Sequence, residues 1–102
     1  ARHALGDYQG AIADYTKAIS LNPELPEAYM NKGLAGFLLK DHQGALADYT
    51  KAISLKPDYA KAYNNRGLMF LAMNEKDKAL ADLLRAKELG YLVPQEVLEK
   101  CQ

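Results

Sequence analysis

The sequence predicts an all-α fold of antiparallel helical hairpins stacked in series, and three observations carry that reading. A segment recurs at a fixed offset, its apolar residues keep a helical period, and prolines fall where helices must end. Residues 9–21 read QGAIADYTKAISL and residues 43–55 read QGALADYTKAISL, differing only at Ile12 against Leu46. The offset of 34 residues also relates Ala28-Tyr29 to Ala62-Tyr63, Asn31 to Asn65, and Gly33-Leu34 to Gly67-Leu68. A more diverged third copy sets Ala79-Leu80-Ala81-Asp82 on Ala45-Leu46-Ala47-Asp48. A repeat of this length is one supersecondary unit, which buries its apolar face only against a neighbour.

The elements follow in order. Residues 1–5 read as the stub of a first helix and 8–21 as its partner. In the partner, Ala11, Ile12, Tyr15, Ala18 and Ile19 form one stripe of a 3.6-residue helix, and Ala45, Leu46, Tyr49, Ala52 and Ile53 repeat it. Asp14, Lys17, Asp48 and Lys51 fall off the stripe and are expected in water. Helices at about 26–39 and 42–55 make a second hairpin, and 60–73 with 76–89 a third. Tyr29, Gly33 and Phe37, or Tyr63, Gly67 and Phe70, mark the leading helix of each. Pro23 and Pro57 stop the helices before them, because proline lacks an N–H and clashes one turn back. Polar turns at Lys40-Asp41 and Asn74-Glu75 separate the two helices of a hairpin. A last short helix covers about 94–101, with Pro94 in its first turn, where a missing donor costs nothing.

Composition removes several function classes. With 49% apolar and 25% charged residues the chain has the balance of a folded globular domain. Lys plus Arg and Asp plus Glu are both 13, so there is no basic surplus to hold nucleic acid. Strongly apolar runs such as Leu34–Leu39 are far short of the ~20 residues a membrane span needs. Cys101 is alone, which excludes an internal disulfide and fits a reducing compartment, the cytoplasm first. The chain starts at Ala1 in what reads as mid-element, as a fragment would.

No chemistry-bearing constellation emerges. His3 and His42 have no Cys or carboxylate at ligand spacing, and both read as exposed polar residues. Gly33-x-x-Gly36 lies inside a helix and follows no strand, so it is not a phosphate loop. Cys101 shares a stripe with Pro94, Val97 and Leu98 and reads as a small buried group. The expectation is a non-enzyme with no catalytic residue, no cofactor and no metal.

The same residues resemble the tetratricopeptide repeat (TPR) family over essentially the whole chain. Tyr29, Gly33, Ala45, Tyr49, Ala52 and Pro57 meet its pattern in the second unit; Tyr63, Gly67, Phe70, Ala79, Leu83 and Ala86 meet it in the third, where Tyr91 replaces the closing proline. Gly36 departs from the pattern, standing where the family has a large aromatic; either Phe37 or a neighbouring helix fills the gap, or a small pocket opens there. The resemblance implies a right-handed α-solenoid, divided into a partial first unit (1–25), a second (26–59), a third (60–93) and a capping helix (94–102). It implies a peptide or protein partner, held in a concave groove lined by the leading helices. The implied groove positions are Glu27, Met30, Asn31, Leu34, Phe37 and Leu38 in the second unit, and Lys61, Asn64, Asn65, Leu68 and Leu71 in the third. Asn31 and Asn65 could pair with a peptide backbone, since a carboxamide both donates and accepts.

Chaperone-adaptor members of the family grip a C-terminal carboxylate. Asn31 and Lys61 match two places of that grip, but Asn65 stands where its arginine should be. Its first-unit positions are not in the chain, so this mode is not expected. Two alternatives to peptide binding stay open. One is self-assembly as a homo-oligomer through the N-terminal stripe of Ile12 and Tyr15; the other is a regulatory segment of a larger protein.

Overall fold

The computed structural model describes residues 5–101, with side chains from Tyr8 onward, and the described residues are all-helical, without strands. The chain divides into two compact units, residues 1–56 and 57–102. The first holds α1 (Leu5–Leu21), α2 (Pro26–Leu38) and α3 (His42–Leu55), with α2 packed on both others. The second holds α4 (Ala60–Ala72), α5 (Lys76–Glu88) and α6 (Gln95–Glu99), with α5 packed on both others.

Each full hairpin crosses at a glycine. A methyl at Gly33 would stand 2.8 Å from Cδ1 and Cε1 of the Tyr49 ring, and one at Gly67 would stand 2.8 Å from Cγ of Leu83. Only the missing Cβ lets α2 approach α3, and α4 approach α5, this closely. The faces so covered are closed to water: Ala45, Tyr49 and Ala52 in α3, and Ala79, Leu83 and Ala86 in α5, are all 0% exposed.

The hairpin turns share one hydrogen-bond design. Lys40 N–H donates to Phe37 O (2.9 Å) and Asp41 N–H to Gly36 O (2.8 Å); Asn74 N–H to Leu71 O (3.0 Å) and Glu75 N–H to Phe70 O (2.9 Å) repeat this. These bonds satisfy the last carbonyls of the leading helix and need a left-handed residue at the corner. Lys40 (φ 66°) and Asn74 (φ 62°) supply it. Asp41 then caps α3, its Oδ1 accepting from Gly44 N–H at 3.1 Å, whereas Glu75 makes no side-chain cap for α5.

Three sequence expectations change. The break expected before residue 8 is absent, because α1 is helical from Leu5 onward; the rest of the expected stub, residues 1–4, lies outside the described residues. Secondly, Pro94 is the N-cap of α6 and not its first helical residue, with ψ 140° keeping it outside the helix. Thirdly, Asp48 is not solvated like Lys51. It is half-buried and faces Lys32 at 3.8 Å, and its third-copy counterpart Asp82 is buried at 6% exposure.

Candidate functional site

The site grows from two helix faces in the first unit. On α1, Tyr8, Ala11 and Tyr15 lie three and four residues apart and so share one face. On α2, Asn31, Leu34, Ala35 and Leu38 do the same. Between these faces lies a cleft of about 260 Å³ lined by those seven residues. Its walls are mostly aliphatic and aromatic, and among the described residues no charged side chain lines it. Leu34 (37%) and Leu38 (45%) are unusually exposed for leucines, while Asn31, half-buried, brings a carboxamide to the wall.

The cleft unites Asn31, Leu34 and Leu38 from the sequence-derived groove set. The other residues of that set sit elsewhere. Glu27 is exposed in the first turn of α2. Phe37 is half-buried with its ring 5.8 Å from that of His42, so it packs toward the hairpin turn. Met30 is buried at 3% exposure and presents almost no surface to an incoming segment. In the second unit, Lys61 on α4 is exposed, Asn65, Leu68 and Leu71 are half-buried, and Asn64 is buried at 8%. Met30 and Asn64 are equivalent by the repeat, so their burial has one cause: that register of the leading helix points inward.

Around Gly36 no pocket is needed to explain the missing aromatic. A methyl there would meet Ala45 Cβ at 3.7 Å, an ordinary contact. Sequence reasoning missed Tyr8 and Ala35 as lining residues and read Ala11 and Tyr15 as packing, with Tyr15 also weighed as part of an open stripe for self-assembly. The signal was present: by the 34-residue offset Ala11 and Tyr15 match Ala45 and Tyr49, which are fully covered, whereas Ala11 and Tyr15 remain half-buried.

Charged groups also meet inside each hairpin. Burial pushes the Asp48 carboxyl above its ordinary value; Lys32 opposes this in part and Asp41 adds to it. Burial likewise pushes the Tyr49 phenol up, and its hydroxyl is enclosed without a hydrogen-bond partner. In the second unit Arg66 grips Asp82 with two bonds, Nε to Oδ2 at 2.7 Å and Nη2 to Oδ1 at 2.8 Å. That hydrogen bonding to Asp82 raises the guanidinium pKa despite its desolvation. Cys101 is buried, and burial raises its thiol pKa. Among the described residues no three His, Cys, Asp or Glu side chains gather as metal ligands, and no helix is long and apolar enough to cross a membrane.

Residues 1–40 and 33–74 match a family profile described as TPR repeat, and residues 60–89 match one described as tetratricopeptide repeat. Among solved structures, the first TPR of Spaghetti (RPAP3), bound to the HSP90 peptide SRMEEVD, is similar at 33% identity. It aligns with a TM-score of 0.88 over 94% of this chain and 78% of that one. The Arabidopsis OM64 TPR domain is similar at 27% identity and TM-score 0.89, over 95% of this chain and 82% of that one. The TPR2B domain of yeast Sti1, in a complex with pHsp70, gives 26% identity and TM-score 0.82, over 94% and 83%. No curated protein sequence matches the chain.

Proposed function

The chain belongs to the tetratricopeptide repeat family, and on that premise we propose that it is a protein-interaction module binding peptide segments on the leading helix of each unit, α2 in the first and α4 in the second. The observation that carries the reading is the largely apolar cleft at Asn31, where Leu34 and Leu38 stay open to solvent. Apolar side chains of a partner gain by leaving water there, and the carboxamides of Asn31 and Asn65 can each pair with a backbone amide. Two similar domains, solved with an HSP90 peptide and with pHsp70, support a peptide as the partner. Asn65 in place of an arginine argues against strong capture of an acidic C-terminus.

The test is to select binders from a random-peptide display library and titrate the best one by fluorescence polarisation. Asn31→Ala with Asn65→Ala weakens it by about fivefold per lost hydrogen bond, with helicity unchanged. The SRMEEVD peptide serves as control; it binds weakly, and Asn65→Arg strengthens it. A selected peptide whose affinity ignores the double substitution places the binding surface elsewhere.

A further inference from the structure

We infer that Asn64 is a specificity-determining residue of α4 and takes a neutral hydrogen-bonding side chain of the bound segment, a hydroxyl or a carboxamide. The assignment rests on the peptide-binding reading and names what the second unit selects. Met30 on α2 and Asn64 on α4 stand 34 residues apart in the repeat and are almost equally covered, at 3% and 8% exposure. An apolar side chain therefore serves the fold at this register, yet the second unit has a carboxamide in its place.

That carboxamide has no hydrogen-bond partner among the described residues. Covering an amide and leaving it unpaired opposes folding, a cost that Met30 does not incur. Folding alone does not account for Asn64. Nor is the amide sealed. The Tyr49 hydroxyl is the unpartnered polar atom that is fully enclosed, whereas the Asn64 amide keeps a narrow opening. Asn64 shares its helix face with Lys61 one turn before it and with Leu68 and Leu71 in the turns after it. Both leucines are only half-buried, so this face is not closed over.

Depth selects the class of group. A carboxylate brought to so covered a position needs a cation beside it, and Lys61 is exposed with its charge in water. An apolar side chain leaves the amide unpaired. A hydroxyl or carboxamide donates and accepts as the Asn64 amide does, and enters without a charge.

The experiment selects peptides from one random display library against the wild-type chain and against Asn64→Met. The wild type is expected to enrich Ser, Thr, Asn or Gln at one peptide position, and Asn64→Met an apolar residue there. Asn64→Met weakens the best wild-type peptide by about fivefold, and the nearly isosteric Asn64→Leu repeats the loss. Making the selected peptide residue apolar costs the same against the wild type and nothing further against either variant. Both variants keep or raise the urea midpoint, since an unpaired amide has gone. Enrichment of the same residue by both chains overturns the inference. So do lowered midpoints in both variants with affinity untouched, which would make Asn64 a structural residue. A peptide weakened by Asn31→Ala with Asn65→Ala but indifferent to Asn64→Met sinks this assignment and leaves the peptide-binding reading standing. A library without binders removes both.

Discussion

The α2/α3 and α4/α5 hairpins follow one plan at 34-residue spacing and differ in how they settle its polar positions. In α2/α3 the ion pair is loose, a single Lys32–Asp48 approach of 3.8 Å, and the large buried residue is a tyrosine whose hydroxyl lacks a partner. In α4/α5 the pair is bidentate, and the corresponding residue is Leu83, with no polar atom to satisfy. Phe70 stands where α2 has Gly36, and the Arg66 guanidinium lies 5.8 Å from the centroids of both the Tyr63 and Phe70 rings. Shape fixes the crossing identically in both hairpins. Electrostatic settlement is a separate property, and the planar fork of arginine achieves what the single ammonium of Lys32 does not.

The largest expected effect tests that separation. Arg66→Ala leaves Asp82, at 9% side-chain exposure, with its charge uncompensated, and should cost about 2–4 kcal/mol. Lys32→Ala removes a longer, wetter contact and should cost under about 1 kcal/mol. Urea denaturation of both variants checks this, and equal losses would erase the distinction.

Next comes the shared crossing. Gly33→Ala drives a methyl to 2.8 Å from a fully buried ring that has nowhere to turn. Overpacking of about 1–3 kcal/mol outweighs the ~1 kcal/mol that alanine gains over glycine in a helix, so the variant is less stable. Gly36→Ala has the opposite sign. Its methyl reaches only ordinary contact with Ala45, and the variant should gain about 1 kcal/mol by thermal denaturation.

Those two glycines show what was legible in the sequence. Both sit in one helix three residues apart, and the repeat marked Gly33 as a crossing because Gly67 recurs, while Gly36 recurs as Phe70. Periodicity likewise placed five of the six helices to within a residue or two, because the buried stripe and the helix breakers are local properties. The candidate cleft was harder to read. Whether Tyr15 is covered depends on what lies over it, and an identical local sequence around Tyr49 is completely enclosed. Asp48 looked like a solvated residue because stripe analysis ignores a cation reaching across from the partner helix.

Tyr49→Phe removes the enclosed hydroxyl and brings α3 closer to the apolar solution that Leu83 gives α5. A buried polar atom without a partner carries a penalty of about 1 kcal/mol or more, so the phenylalanine variant should be the more stable one. A loss of stability would mean that the hydroxyl is satisfied in solution.

The smallest effect concerns Asp48 and depends on pH. Burial is the dominant influence on this carboxyl and raises its pKa in the folded chain above the ordinary 3.8. A raised folded pKa means the folded state prefers the proton. The favourable contribution of Asp48 is therefore fully present below its unfolded value and disappears as pH rises through the folded one. At neutral pH the ionised group is a small burden that Lys32 only partly offsets. Asp48→Asn should thus equal or exceed the wild type near pH 7, by under about 1 kcal/mol, and lose that advantage near pH 4. Paired denaturant titrations at the two pH values measure it. An advantage that grows on acidification would make the Lys32 contact, and not burial, the controlling influence, and would bring this hairpin electrostatically into line with its neighbour.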